Sequence, residues 1–196
     1  MMAKNLHTLL PTPSRVKTIQ NAQDLAYLCQ KSSPLMPPFG QETQNIIQMM
    51  IDTLKTKGGG AGLAAPQIGI NKRIILCTFT RKIEDLEPMI NPEYQPIGTT
   101  REEAWEGCFS VPLCFAKISR WQAIEVSYYN SQGSKLQKKL QGTAARIYQH
   151  EYDHLEGKLI VDHALELKTF GNEEDYKSFL TVLREKQQVA QQKIKF

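Results

Sequence analysis

Residues 149–157 read Gln-His-Glu-Tyr-Asp-His-Leu-Glu-Gly, and they place two of the chain's four histidines four positions apart. On a helix, side chains four residues apart lie on one face about one turn from each other. His150 and His154 can therefore bind one metal ion, and Glu151 beside them can move protons to and from a water molecule at that ion. The spacing predicts a helix that carries the metal site of a hydrolase.

The residues around this motif are arranged as expected for a helix that begins near Gly142 or Thr143. With about 100° per residue, one arc consists of Ala144, Ile147, Tyr148 and Leu155. The opposite side carries Arg146, Gln149, Asp153 and Glu156. Glu151 falls in the middle of the apolar arc, and burying an unpaired carboxylate costs several kcal/mol. A metal site supplies the compensation; the alternative is an amphipathic helix whose histidines are satisfied in the core.

Length and composition bound the protein class. The chain has 196 residues, a formal charge of +4 and 41% hydrophobic residues, which fits one domain over 1–196 with an N-terminal arm at 1–20 and a C-terminal helix and tail at 172–196. The small, dispersed charge does not indicate sequence-specific nucleic-acid binding. No apolar stretch approaches the roughly 20 residues that span a membrane.

Cysteine usage and the N-terminal sequence bear on the compartment. The four cysteines lack the spacing of a disulfide framework, and no secretory signal is recognisable. A reducing, cytoplasmic setting is therefore predicted. Because residues 1–23 contain no acidic side chain, an organellar transit peptide is the less favoured alternative.

The order of elements predicts an α+β fold, mostly antiparallel sheet packed around the central histidine helix. Helices are predicted at 22–31, 41–57 and about 173–192, the last with Phe179, Leu180 and Leu183 on one side. Strands are predicted at 73–80, 89–94, 114–119, 123–130 and 135–140, the last two joined by a turn at Ser131-Gln132-Gly133.

A catalytic metal usually has three protein ligands and an open position for water, so the histidine pair needs a partner. Cys108, in Glu106-Gly107-Cys108-Phe109-Ser110, is the preferred candidate because a thiolate is a strong ligand. Gly107 would give the backbone room to turn that thiolate toward the metal. Asp162 and His163, shortly after His154, are the competing candidates.

The glycine-rich stretch at 58–67 predicts a different contribution. Its small residues let an extended peptide approach and pair as a β-strand would, and the Gln67 amide can donate a hydrogen bond to a developing oxyanion. The alternatives are a flexible turn or a degenerate dinucleotide-binding fingerprint. That fingerprint follows a strand and opens a helix, whereas here a helix precedes the glycines and Pro66 obstructs a following one.

Taken together, Gly60-Ala61-Gly62-Leu63-Ala64-Ala65-Pro66-Gln67, Glu106-Gly107-Cys108-Phe109-Ser110 and Gln149-His150-Glu151-Tyr152-Asp153-His154-Leu155 resemble the three signature segments of peptide deformylases, in the same order. The resemblance extends more loosely from the helix before Gly60 to about residue 165. It implies removal of the formyl group from the N-terminal formyl-methionine of new polypeptides, with release of formate.

The resemblance also implies a role for each matching residue. Cys108, His150 and His154 would hold the metal, and Glu151 would be the acid/base. Gln67 and the backbone N–H of Phe109 would hold the oxyanion. Ferrous iron is the implied ion, with Zn²⁺, Ni²⁺ or Co²⁺ as substitutes, and the ligands by themselves suit any of the four.

Substrate contacts are expected from Gly60, Gly62, Phe109, Ile147 and His150. Phe109 stands where leucine is usual in the family, so its larger ring can alter which peptides or inhibitors fit. The segment after Ser110 lacks an arginine that some members have.

A basic C-terminal end, with Lys186, Lys193 and Lys195, raises transient ribosome contact as a hypothesis, but a solvated helix is the preferred interpretation.

Two other functions use the same residues. A metallopeptidase has the same helical histidine pair and glutamate, and it would cleave unformylated peptides. A structural metal module predicts a saturated site of four ligands, whereas the sequence offers one well-placed cysteine.

Overall fold

The computed structural model describes residues 14–193, and within that range no helix is long and apolar enough to cross a bilayer. The helices are α1 (Ala22–Leu28), α2 (Gln41–Thr56), α3 (Gly142–Leu155) and α4 (Glu173–Lys193). The strands are β1 (Gly62–Ala64), β2 (Ile74–Cys77), β3 (Glu87–Pro96), β4 (Arg101–Cys108), β5 (Val111–Trp121), β6 (Ala123–Tyr129), β7 (Lys135–Gln141) and β8 (Glu166–Thr169).

The strands form two antiparallel sheets. One has five strands in the order β1-β2-β3-β6-β7, and the other has three in the order β4-β5-β8. Helix α3 packs against strands of both sheets, including β1, β2 and β5. The predicted α+β fold, antiparallel sheet around the histidine helix, is confirmed.

Because both sheets contact α3, the helix is buried on more than the predicted arc. Gln149, which the wheel places on the polar side, is only 2% exposed. Its amide accepts a hydrogen bond from the Trp121 N–H at 3.0 Å and donates to the Trp121 carbonyl at 2.9 Å. The prediction for Gln149 is wrong because the end of β5 covers that side and satisfies its polar atoms.

Element boundaries follow the sequence patterns where those patterns are strong. Helix α2 and the β6–β7 hairpin lie where they are predicted, whereas α1 stops at Leu28, three residues early. Strands β1, β4 and β8 are not predicted. Three residues in β1 are too few to show periodicity, and β4 begins with exposed Arg101, Glu102 and Glu103, a composition typical of a loop.

Helix α2 leads the chain into the glycine-rich segment. Its Met50 and Leu54 are fully buried against β1 and β2, together with Leu63, Ile74 and Leu76. Burial of each such side chain contributes about 1.5–3 kcal/mol to folding. This packing fixes β1 at the edge of the five-stranded sheet, beside α3.

Helix α4 lies on the three-stranded sheet through an aromatic cluster. The Tyr176 ring stacks on Phe115 of β5, with ring centroids 4.8 Å apart, and Phe179 packs edge-on against Phe115 and Trp105. The predicted apolar side of the last helix thus includes Phe179, as expected. Of the predicted basic end, Lys195 and the side chains of Lys186 and Lys193 lie outside the part of the chain that the structure describes.

Candidate metal centre and active site

His150, Glu151 and His154 lie together on α3, as their spacing predicts. The two imidazole ring centroids are 5.3 Å apart. His154 is 1% exposed and Glu151 is 5% exposed. The helix therefore presents both histidines and the carboxylate to one enclosed region.

Cys108, the last residue of β4, completes a group of possible ligands. Its Sγ lies 3.2 Å from His154 Nε2, and the ligand atoms of Cys108, His150 and His154 all fall within 4.8 Å of one another. In the described range, no other residue joins this group. One soft thiolate with two imidazoles is a donor set that fits iron, cobalt, nickel or zinc.

Their neighbours shift the pKa values of Cys108 and His150 in opposite directions. Burial by itself raises the pKa of the Cys108 thiol, but the neighbouring His154 and His150 lower it well below its ordinary value. Burial lowers the pKa of His150, but Cys108 and Glu106 outweigh that effect and raise it well above its ordinary value. The structure thus favours the thiolate, which is the form of cysteine that binds a metal.

His150 is oriented by a buried ion pair behind it. Its Nδ1 lies 2.9 Å from Glu106 Oε2, which leaves Nε2 for a metal. Arg120 donates to both oxygens of Glu106, at 3.0 and 2.9 Å, and Arg146 donates to Oε1 at 2.7 Å. Although burial raises the pKa of Glu106, hydrogen bonds from His150 and Arg120 hold it well below its ordinary value. A carboxylate that accepts a histidine N–H fixes the tautomer and ring orientation of a metal ligand.

Sequence reasoning gave Glu106 no role, although a signal was present. Glu106 and Cys108 are two residues apart in β4, a spacing that places side chains on the same face of a regular strand; although the pairing of β4 shifts register between Gly107 and Cys108, both side chains contact histidines of α3. Once β4 is recognised as a strand, Glu106 is expected beside the ligands. The missed strand explains the missed residue.

The Glu151 carboxylate is pressed against Gly62 of β1. A Cβ built on Gly62 would lie 2.5 Å from Glu151 Oε1, so only glycine fits there. Glu151 Oε2 is buried and has no hydrogen-bond partner. Burial raises the pKa of Glu151 to about 7, against the opposing effect of His150 and His154. A desolvated carboxyl with an unpaired oxygen beside a ligand group suits proton transfer.

Gln67 faces the same region from the 3₁₀ turn at Ala65–Ile68. Its Nε2 donates to Ser110 Oγ at 3.2 Å and lies 3.6 Å from Cys108 Sγ, while its Oε1 accepts the Ala64 N–H at 2.8 Å. The Ala64 contact fixes which end of the amide faces the cysteine. Ser110 is fully buried, and its contact with Gln67 is not predicted from the sequence.

The remaining predicted substrate residues are distributed around this centre. Phe109 occupies the turn after Cys108, and its ring atoms lie 2.9 and 3.0 Å from a Cβ built on Gly60. Ile147, on α3, packs in the core cluster with residues of the five-stranded sheet. A substrate contact for either side chain stays a prediction.

The reason for glycine at position 107 differs from the one predicted. A Cβ there would lie 2.9 Å from a ring atom of Phe115 and 3.0 Å from the Tyr176 hydroxyl. The residue is small because the aromatic cluster under α4 fills the space on the side of β4 opposite Cys108.

The two competing ligand candidates lie in other contacts. Asp162 accepts the Leu159 N–H at 2.7 Å. His163 Nε2 lies 3.2 Å from an oxygen of Asp153. Neither residue belongs to the described group of converging ligands.

Comparison with known proteins agrees with this geometry. The model of the polypeptide deformylase family matches residues 16–170. Peptide deformylase 2 of Rickettsia conorii is 33% identical over 171 residues, covering 81% of this chain and 84% of that protein. The peptide deformylase of Thermotoga maritima is 40% identical over 124 residues, covering 63% of this chain and 73% of that protein.

Solved structures resemble most of this chain. The crystal structure of the Thermotoga maritima peptide deformylase has a TM-score of 0.71 at 34% identity and covers 79% of this chain and 99% of that one. A Synechococcus elongatus peptide deformylase in complex with actinonin has a TM-score of 0.70 at 30% identity and covers 85% of each chain. The chain therefore belongs to the polypeptide deformylase family of metal-dependent hydrolases, which remove the formyl group from the N-terminus of nascent polypeptides.

Proposed function

We propose that Cys108, His150 and His154 hold the metal of this deformylase and that Glu151 is its acid/base. The observation that carries the proposal is the convergence of three ligand atoms within 4.8 Å beside a buried carboxylate oxygen that has no partner. A bound divalent ion at this position supplies Lewis acidity, which lowers the pKa of water and polarises the formyl carbonyl.

Glu151 moves the proton in both halves of the reaction. It accepts a proton from the attacking water as the new C–O bond forms at the formyl carbon, and it then delivers that proton to the leaving nitrogen as the C–N bond breaks. The products are formic acid and the free amine, and the acid loses its proton to the amine or to solvent to give formate. The unpaired Oε2 is the atom available for both transfers.

Gln67 and the Phe109 backbone N–H hold the oxyanion that forms between these steps. The Gln67 amide nitrogen faces Cys108 and is fixed by Ala64 and Ser110. A donor that is already oriented needs no rearrangement when charge develops on the carbonyl oxygen, and this preorganisation is the basis of oxyanion stabilisation.

The peptide substrate pairs with the free edge of β1. The Thr78 N–H donates to the Ala61 carbonyl, and backbone groups alternate between the two sides of an antiparallel strand. The N–H and C=O of the next residue, Gly62, therefore point away from β2. Gly60, Gly62, Phe109, Ile147 and His150 would line the space for the methionine side chain.

Iron(II) is the proposed ion in the cell, and Zn²⁺, Ni²⁺ or Co²⁺ are proposed substitutes because the same donor set accepts them. The proposed substrates are formyl-methionyl N-termini of nascent chains in the cytoplasm. Transient ribosome contact through the basic C-terminal end is the less favoured hypothesis.

Anaerobic purification followed by metal analysis and peptide assays tests this proposal. We expect about one divalent ion per chain and hydrolysis of formyl-methionyl peptides, with no cleavage of the same peptides without the formyl group. Cleavage of the unformylated peptides would instead support a metallopeptidase.

Exchange of Glu106 for glutamine is expected to weaken both metal binding and turnover by about 10- to 100-fold, the usual cost of losing a partner behind a metal-bound histidine. The variant keeps the shape of the side chain but loses the charge that holds His150 and Arg120. Competition of the apo-protein with a chromophoric chelator measures the metal affinity.

Glu103→Gln is the matched control because Glu103 lies on the same strand and its carboxylate contacts only Lys117 among the described ion pairs. Equal affinities in the two variants would contradict the orienting role.

A further inference from the structure

The chain segment at residues 15–19, here called the strap, touches both residues that organise the oxyanion site. The Lys17 N–H donates to the Gln67 carbonyl at 2.8 Å, and the Ile19 N–H donates to the Ser110 carbonyl at 2.9 Å. Gln67 and Ser110 are far apart in sequence and belong to separate elements. The strap is therefore a backbone bridge between them.

This bridge duplicates a connection inside the site. The side chains of Gln67 and Ser110 are already joined by the 3.2 Å hydrogen bond from Nε2 to Oγ. Two links of different origin thus tie the Gln67 turn to the turn that contains Phe109. Because both proposed oxyanion donors lie on these two turns, their separation depends on the links.

Asp24 of α1 holds the strap in place. Its carboxylate accepts two hydrogen bonds from Arg15, at 2.6 and 2.9 Å, one from Lys17 Nζ at 3.1 Å and one from the Thr18 N–H at 3.2 Å. Asp24 is 3% exposed. Four hydrogen bonds from three residues of the strap, Arg15, Lys17 and Thr18, converge on one carboxylate.

We propose that the strap positions Gln67 and the Phe109–Ser110 turn for catalysis, and that Asp24 is a positioning residue that acts through the strap. The proposal rests on the oxyanion role proposed above for Gln67. Small displacements of such donors are costly, since a misplacement of about 1 Å can reduce a rate about 10²-fold. Loosening the strap should therefore impair the transition state more than substrate or metal binding.

Asp24→Asn tests the proposal because it keeps the size of the side chain and removes the charge that holds Arg15 and Lys17. We expect kcat to fall about tenfold, with KM and metal content within twofold of the parent protein. We also expect the side-chain amide signals of Gln67 to shift in ¹H–¹⁵N spectra and the amides of Lys17 and Ile19 to exchange faster. The matched control is Glu87→Gln, in which a carboxylate bonded to Tyr128 and Lys138 on the five-stranded sheet is neutralised.

An unchanged kcat, or an unchanged Gln67 amide signal, would overturn the proposal. So would equal losses of kcat, metal content and melting temperature, which indicate general destabilisation. If Asp24→Asn fails to fold, Arg15→Gln carries the test with a smaller effect in the same direction, since the Arg15 side chain is 66% exposed. A parent protein without deformylase activity would refute the proposed function, whereas the Gln67 signals would still decide the role of the strap.

Discussion

Replacing Glu151 with alanine is expected to lower kcat for formyl-peptide hydrolysis by about 10²- to 10⁴-fold, the usual contribution of a positioned acid/base. Its carboxylate is not one of the three proposed ligands. Metal content should therefore remain near that of the parent protein. Steady-state kinetics together with metal analysis on the same sample measure both effects. The combination separates the loss of a proton carrier from the loss of the ion.

Two further variants make this experiment specific. Glu151→Gln preserves the shape that fills the space over Gly62 but cannot accept the proton, so it should be as inactive as the alanine variant. Glu156→Gln removes a carboxylate just beyond the end of the same helix, where it pairs with Arg73 and Lys31, and should stay active. Normal turnover by the Glu151→Ala protein would contradict the assigned role.

Substitution of Cys108 by alanine is expected to abolish activity through loss of the metal. The variant keeps the two histidines but lacks the thiolate ligand. Its metal affinity should fall by more than the 10- to 100-fold that is usual when a hydrogen-bond partner of a ligand is removed. Titration of the apo-protein with Co²⁺ gives the affinity, and the cobalt spectrum reports whether a thiolate is bound.

Cys114→Ala is the matched control, because this cysteine is also buried, lies in the paired strand β5 and does not contribute to the ligand group. Its variant should bind metal stoichiometrically and show a thiolate-to-cobalt absorption. A Cys108→Ala protein that retained this absorption would mean that another cysteine is the ligand.

Much of the site follows from the sequence because its residues lie close together in short motifs. The four-residue spacing of His150 and His154 depends only on helix geometry, and the inward direction of Glu151 follows from the same wheel. Both are found in the structure. Cys108 is predicted as the third member of the cluster because a thiolate is a strong metal ligand, and its sulfur lies with the two histidines in the structure.

The rest depends on contacts between segments that no local pattern records. Gln149 is buried because the three-stranded sheet covers a side of α3 whose polar side chains predict exposure to solvent. The space at Gly107 is filled by Tyr176, 69 positions later in the chain. The strap at 15–19 reaches the site through backbone N–H groups, so the identities of its side chains carry no signal of that contact.

The shortness of β1 also has a consequence for self-association. An unpaired sheet edge offers backbone groups to any extended chain, and long edges of this kind promote aggregation. The free edge of β1 is three residues long, and the Ala64 N–H on it is already bonded to Gln67. An edge of this length can hold the end of one peptide, but it provides too few hydrogen bonds to build a continuous sheet between copies of the protein.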